Sequence, residues 1–382
     1  MSAAAPPTPG GSENEAPGTS TPPPRAGSRA TDTLAGPAPS APSPSTGGGK
    51  RTLLTRRVAW TVAAVAALAV AVVLSLAVGA RAVPPMTAVD ALLHGGHSDD
   101  AEVVRQLRVP RTLIGLMVGA ALALAGTTLQ GITRNPIADP GILGISQGSS
   151  VGVVLAITFA GVHTLDGYVW FAFAGAGAAS VAAYAIASRG RGGATPVKLA
   201  LGGAAINALL VAVTQGILTT NAATLEEFRF WQVGSLTGRQ GSVAGEVWPF
   251  LLVGAVLVVY VARGLDALAL GDDVAVGLGQ NVAVVRIVGG VGATLLVGGG
   301  VAAAGPIAFV GLAVPHIARA LVGTDHRWVL PMAALIGPVM LLVSDVIGRI
   351  VFPPSEVPAG VMTALIGVPF LVALVRRKAV PA

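Results

Sequence analysis

The run GPIAFVGLAVPHIARALVGTDHR, from Gly305 to Arg327, limits the fold more than any other part of this sequence. It opens with Gly305-Pro306, stays apolar from Ile307 to Val314, meets Pro315, and turns polar at His316 and Arg319. It then closes on the small charged turn Gly323-Thr324-Asp325-His326-Arg327. A helix that crosses the bilayer needs about 20 apolar residues, so this run is barely long enough. Proline removes a backbone donor and disturbs the helix around it, which leaves carbonyls and amides that lipid cannot satisfy. A segment punctured at Pro306 and Pro315 has to lie among other helices or line a wet cavity. The expectation is a polytopic membrane protein with a pathway.

Composition agrees. Over 382 residues the chain is 53% hydrophobic and 11% charged, where a soluble domain carries about 25% charged residues. The spans and short loops that fit this length amount to roughly eight to ten helices. A net charge of +6 and a pI near 10.4 would suit nucleic acid, but basic residues beside spans orient a membrane protein, and that reading is preferred. Cysteine is absent, which excludes a disulfide framework, a thiolate metal site and a cysteine nucleophile. The 51 glycines fit helices that pack closely through small residues.

Residues 1–49 are Pro, Ser, Thr, Ala and Gly with almost no large apolar side chain, so they are expected to form a disordered cytoplasmic tail. Pro22-Pro23-Pro24-Arg25 reads as a polyproline ligand or as part of a plain tether. Gly47-Gly48-Gly49-Lys50 fails the phosphate-loop pattern, because no glycine sits five before Gly49 and Arg51 follows the lysine. Lys50, Arg51, Arg56 and Arg57 precede the apolar run Val58 to Ala80, which is too long for a signal-peptide core and is expected to be the first transmembrane helix. The remaining hydropathy places spans at 112–132, 142–162, 168–188, 198–218, 246–263, 284–303, 306–321, 329–350 and 359–375. With the N-terminus inside, 17 of the 24 Lys and Arg face the cytoplasm; the other seven are Arg81, Arg105, Arg108, Arg111, Arg229, Arg239 and Arg349. That bias supports ten spans with both ends inside, giving a permeation domain over 50–378 and a short tail over 379–382.

Several blocks stand out along this frame. They are Arg108-Val109-Pro110-Arg111, the small-residue pair Gly115 and Gly119, and the turn Gln130 to Gly141 reading QGITRNPIADPG. Further on are Arg229 to Leu236 (RFWQVGSL), Leu268 to Gly279, the opening run, Ser344-Asp345 to Arg349, and Glu356 to Gly360. Together the blocks RxPR, QxxxRNPxADPG, FVGLxxPHxxR and TDHR occur in the order and spacing of one family, over residues about 55 to 378. The chain resembles the FecCD or BtuC type of permease subunit, found in ATP-driven importers for iron–siderophore complexes, haem and vitamin B12.

The resemblance implies an all-α, BtuC-like fold of about ten transmembrane helices. It implies a pair of permeases, identical or related, with two cytoplasmic ATPases carrying ATP and Mg and an external substrate-binding lipoprotein. The chain itself would hold no cofactor or metal and catalyse nothing. Arg108, Arg111 and Arg349 match the outer arginines that dock the binding protein; the plainer readings are lipid-headgroup anchoring and, for Arg349, pairing with Asp345 four residues earlier. Asp266 to Asn281 matches the inner helices that seat on the ATPase, with Asp266, Leu268, Leu270, Gly271, Asp272, Asp273, Leu278 and Gly279 as the coupling residues. Its apolar positions recur at near-helical spacing, which also fits an ordinary amphipathic loop. Asn135, Ile137, Ala194 and Thr195 match the inner gate, against a reading as helix caps. Pro306, Pro315, His316 and Arg319 belong to the pathway or its frame, and a lone His316 reads as a hydrogen-bonded structural residue rather than a metal ligand. His94 and His97 are a slight metal signal at most. The fifth and eighth spans are expected to line the path.

The RFWQVGSL block and Arg327-Trp328 look most like ferric-catecholate permeases, so a ferric siderophore is the expected cargo, with haem and vitamin B12 as alternatives. The Pro-rich tail is not part of the shared pattern. A secondary transporter driven by an ion gradient is the rival from another class; it wants acids in broken helices near the midplane, and Asp345 is the one candidate. An intramembrane enzyme would need a nucleophile–base pair or a metal dyad within the spans, and the sequence offers neither.

Overall fold

The computed structural model describes residues 48–79, 84, 86–87, 90–91, 94, 98–189, 195–239, 241–353 and 355–379. The tail expected over 1–49 lies outside the described residues as far as residue 47, and so do Ala194, His97 and residues 380–382. Every regular element among the described residues is a helix.

Helix α1 runs Gly48–Ala77. Helix α2 (Asp99–Val103) passes through a π-helical turn, Val104–Arg108, into α3 (Val109–Thr133). A single 3-10 turn, Pro140–Leu143, leads into α4 (Ile145–Ala160), followed by α5 (Leu165–Ser188) and α6 (Pro196–Thr220). The short α7 (Ala222–Gln232) precedes α8 (Gly241–Tyr260), and two shorter helices follow, α9 (Ala262–Leu268) and α10 (Asp272–Gly277). The remaining helices are α11 (Val282–Ala304), α12 (Val310–Val322), α13 (His326–Val351) and α14 (Ala359–Ala379). Among the described residues seven helical stretches are long and apolar enough to cross a bilayer, and three shorter apolar ones, 145–160, 310–322 and 359–373, bring the number to the ten expected spans. The Lys and Arg bias puts the start of α1 and the end of α14 on the cytoplasmic side.

Helix α3 stands at the centre and touches α8, α11, α12 and α13. Ile114, Val118, Ala121, Leu122, Ala123, Ala125 and Leu129 along it are at most 3% exposed. Two helices lie against its bare backbone. A Cβ placed on Gly119 would stand 2.6 Å from the Pro338 Cα of α13, and one on Gly126 would stand 1.9 Å from the Gly311 carbonyl oxygen of α12. Lipid gives helices no hydrophobic reason to associate, so van der Waals contact at this range supplies much of the attraction.

Helix α12 departs from the sequence expectation in two ways. It begins at Val310 rather than 306, because Gly305 (φ 76°) and Phe309 (φ 69°) take left-handed backbone and residues 305–309 are not helical. Pro315 does not end the helix; it lies inside it. The carbonyl four residues earlier, that of Gly311, loses its helical donor to that proline. The amide Nε2 of Gln130 from α3 stands 3.5 Å from the Gly311 oxygen and 3.3 Å from that of Leu312. A neighbouring side chain therefore stands in for the missing N–H, one of the few ways a proline is tolerated within a membrane helix.

Replacing Gly126 by Leu is expected to cost more than the ~1–3 kcal/mol of an ordinary overpacked core, because backbone rather than a flexible side chain blocks the way. Thermal melting of the solubilised protein is the measurement. Gly216→Ala, whose Cβ would meet nothing within 4 Å, is the matched control and should leave the transition in place.

Candidate functional site

At the outer end the three arginines expected to dock a partner converge in one buried network. Asp345 of α13 is 0% exposed. It accepts from Arg111 at Nε (3.0 Å) and Nη2 (2.8 Å), and from Arg349 at Nε (3.0 Å). The Arg111 Nη1 also donates to Glu356 Oε2 at 2.7 Å, which accepts from the Thr237 hydroxyl at 3.1 Å. Arg349 reaches across to the end of α1, donating to the Ser75 and Val78 carbonyls at 2.7 and 3.0 Å. Arg108, in the π-helical turn, donates to the Leu76 carbonyl at 2.6 Å. The last carbonyls of a helix have no intrahelical partner and carry its negative dipole end, so cationic donors there are doubly favourable. Arg108 and Arg349 are 5% and 2% exposed, and the Arg111 side chain 11%. All three are turned inward against α1 and Asp345, with Glu356 the most exposed member of the charged network.

Beside this network three loops meet backbone to backbone. The Ser235 amide donates to the Ala304 carbonyl at 2.8 Å and the Gly360 amide to the Gly234 carbonyl at 2.9 Å. A Cβ on Gly305 would stand 2.4 Å from the Trp231 carbonyl oxygen. The RFWQVGSL block, Gly305-Pro306 and the VPAG segment thus form one junction, with Phe228 and Trp231 buried beneath it.

The inner end is built on the turn after α3. Arg134 closes α3 in left-handed backbone (φ 49°). Asn135 Oδ1 accepts from the Ile137 amide at 3.1 Å, and Asp139 Oδ1 from the Gly141 amide at 2.9 Å. Burial raises the Asp139 carboxyl above its ordinary value, against the pull of that amide. The His316 ring donates through Nε2 to the Pro136 carbonyl at 2.7 Å, and Arg319 donates to the side-chain oxygen of Gln130. So α12 is tied to the turn at Pro136 and to α3 at Gln130. Of the residues matched to a gate, Ile137 is 56% exposed, Asn135 orders the turn, and Thr195 caps α6 by accepting from the Lys198 amide at 3.4 Å. Ala194 lies outside the described residues.

The stretch expected to seat on the ATPase is two short helices joined at Gly271, whose φ of 109° is open only to glycine. Leu268 packs inward at 1% exposure, so it is not part of the apolar face the sequence pattern drew. That face is Leu270, Val274, Val276 and Leu278, between 48% and 64% exposed. Asp273 sits beside Asp272 in the first turn of α10, and Gly279 (φ 79°) turns the chain toward α11. Asp272 joins the stretch to the turn after α3: it pairs with Arg134 at 3.2 Å and accepts from Arg286 of α11 at 3.0 and 2.9 Å.

Asp266 holds the stretch to α13. Its Oδ1 accepts from the His326 ring at 2.6 Å and from the His326 amide at 3.0 Å. Burial alone would raise the Asp266 carboxyl; the His326 side-chain and backbone donors, with the charges of His326 and Arg327, outweigh it and hold it below the usual carboxylate range. Sequence reasoning placed Asp266 on the partner surface and missed His326, because the TDHR block and Asp266 lie 60 residues apart. It also left out Val276, gave Glu356 a place in a block but no role, and missed the second arginine on Asp345. The Asp345 to Arg349 spacing was the one signal for that cluster.

No group of three or more His, Cys, Asp or Glu stands ready for a metal among the described residues.

A carboxyl with a depressed folded-state pKa contributes stability above its unfolded value and loses it as pH falls through the folded one. Melts of wild type and Asp266→Asn should therefore differ by about 1 kcal/mol near neutral pH, a modest figure for a part-exposed charged hydrogen bond. The difference should close as pH drops from ~4 toward 2 and below. A difference that grows with acid would contradict the role given to this pair.

The chain matches the model of the FecCD transport family over residues 67–377. It is 41% identical over 311 residues to the ferric enterobactin transport system permease protein FepD of Escherichia coli (strain K12), covering 81% of this chain and 93% of that one. It is 39% identical over 306 residues to the iron(3+)-hydroxamate import system permease protein FhuB of Bacillus subtilis (strain 168), covering 80% of this chain and 79% of that one. Among solved structures it resembles an inward-facing metal-chelate type ABC transporter, with a TM-score of 0.73 and 28% identity over 84% of this chain and 99% of that one. The ten apolar spans, the proline-containing α12 and the family match over most of the length agree: the chain belongs to the FecCD transport family and is a multi-pass membrane permease.

Proposed function

We propose that this permease forms, with a second copy or a related chain, the membrane path of an ATP-driven importer for a ferric siderophore. An external lipoprotein delivers the complex, and two cytoplasmic ATPases drive the cycle with their own ATP and Mg. The observation that carries the reading is the unbroken line of contacts at the inner end. An exposed apolar face at Leu270, Val274, Val276 and Leu278 suits a groove on a partner. Asp272, in the same short helix, grips Arg134, and Arg134 opens the turn that holds Asn135, Ile137 and the Pro136 carbonyl taken by His316. A displacement of the apolar face is thereby passed to the inner mouth, where Asn135, Ile137, Ala194 and Thr195 form the gate. Helices α6 and α12 line the path.

Docking of the binding protein falls to the outer network. Arg111 and Glu356 form its exchangeable pair, since the Glu356 side chain is 27% exposed while Asp345 is sealed. An acidic side chain of the binding protein would take Arg111 in place of Glu356, with Arg108 and Arg349 fixing the field behind it. A ferric siderophore is favoured over haem and vitamin B12 by the RFWQVGSL block and by the names of the relatives above. The rival ion-coupled mechanism would need a carboxylate open to the pathway, and Asp345, the candidate read from the sequence, is held between two guanidinium groups.

Reconstituted with its ATPases and binding protein, the permease should accumulate a ferric catecholate only with hydrolysable ATP, and a protonophore should leave uptake intact. Leu270→Asp should abolish co-purification of the ATPase with no change in melting. Uptake of haem without siderophore would overturn the cargo, and collapse with the proton gradient would overturn the mechanism.

A further inference from the structure

A cavity of about 610 Å³ lies between α3, α5 and α11, with Thr133 and Leu199 at the end beside the inner turn, and away from the docking network. Its walls are apolar, formed by Ile132 of α3, Val181 and Tyr184 of α5, and Ile287, Val291 and Leu295 of α11. Val181, Ile287 and Val291 are 45% to 70% exposed, so it is a groove open at the side of the bundle. Two hydroxyls in its wall, Thr294 and Ser180, are hydrogen-bonded to each other at 3.0 Å.

The groove has a direction. Arg286 lines its cytoplasmic end, in the second turn of α11. From Arg286 to Leu295 the helix rises about 13 Å, close to half of the ~30 Å hydrocarbon core. The groove is thus one leaflet deep. Arg286 is 9% exposed, and although its Nη2 reaches Asp272, its Nε is buried with no hydrogen-bond partner. Tyr184, one turn from the end of α5, lines the same end of the groove. Two glycines keep the groove open: a Cβ on either Gly177 or Gly290, both in its wall, would meet nothing within 4 Å.

We propose that this groove binds one anionic phospholipid of the inner leaflet, an acyl chain between α5 and α11 and the phosphate at Arg286 and Tyr184. An apolar slot with the depth of one leaflet takes the chain. A buried guanidinium with an unmet donor and a tyrosine at headgroup level take the anion. The same guanidinium holds Asp272, so the lipid phosphate and the coupling stretch share one cation.

The test uses the full-length chain in mild detergent, exchanged into micelles with equal phosphatidylglycerol and phosphatidylcholine, and read by native mass spectrometry. Wild type should retain one phosphatidylglycerol in preference to phosphatidylcholine by about fivefold, the effect of one basic residue on an anionic lipid. Gly290→Leu fills the groove and should lose the retained lipid with the melting temperature unchanged, and Gly177→Leu should do the same if the first variant folds poorly. Arg286→Gln should keep a lipid but bring the ratio to about one. Equal retention of both lipids by wild type would overturn the proposal, as would full retention by a folded Gly290→Leu. A fall from pair to single chain in Gly290→Leu would also overturn it, because the groove would then be covered by a second copy.

Discussion

A carbonyl with no helical donor, in a place water does not reach, sets the terms for the rest of this bundle. Pro315 leaves the Gly311 oxygen without its helical partner, and hydrocarbon offers nothing in exchange. Gln130 of α3 supplies the donor, and its own side-chain oxygen is taken by Arg319 of α12. For Gln130 to reach that oxygen the two backbones must almost touch, and Gly126 against Gly311 permits it. The proline, the glutamine and the glycine contact are one arrangement. Removing the glutamine leaves the Gly311 carbonyl bare, and enlarging either glycine forces the helices apart; without the proline the need for the glutamine donor would not arise.

Helix α1 is held in a different way. Its membrane-crossing window is only 17% buried, so packing along its length contributes little. Arginines fasten it at each end instead. On the cytoplasmic side Arg57 donates to the Val322 carbonyl at 2.9 Å and stands 5.3 Å from the ring centre of Trp328. On the outer side Arg108 and Arg349 take its last carbonyls. The outer clamp depends on Asp345, without which two guanidinium groups would share a dry site. Removing one partner of a buried pair leaves the other uncompensated at about 3–5 kcal/mol, so the network holds the helix and its own charges together.

Much of this was legible in the sequence because lipid is an exacting solvent. Ten apolar runs, the Lys and Arg bias and the proline pairs each report a rule with few exceptions, and the spans fall within a few residues of the helices except where α1 and α8 start early and α12 late. The family blocks located both ends of the molecule. What stayed hidden is long-range pairing: Asp266 with His326, Asp272 with Arg134 and Arg286, and Arg111 with Asp345 and Glu356. A single sequence has no term for contacts across such separations. Periodicity also misjudged Leu268, because Gly271 breaks the stretch into two helices and rotates their faces apart.

The two ends differ in how firmly their charges are held, and that difference fits a permease whose inner end moves. Asp345 is sealed, and its arginine partners are 11% and 2% exposed. Asp272 is 36% exposed and so is Arg134. Exposed pairs are worth about 0–1 kcal/mol, little enough to be exchanged for a partner's side chain or a lipid phosphate within one transport cycle. Only Arg286, on the far side of Asp272, is buried at 9%, so one half of that junction is fixed while the other can let go. If α10 is the seat of the ATPase proposed above, a push on it would release Arg134 and its turn before it disturbs α11, the order required for the inner mouth to open while the bundle around α3 keeps its seal.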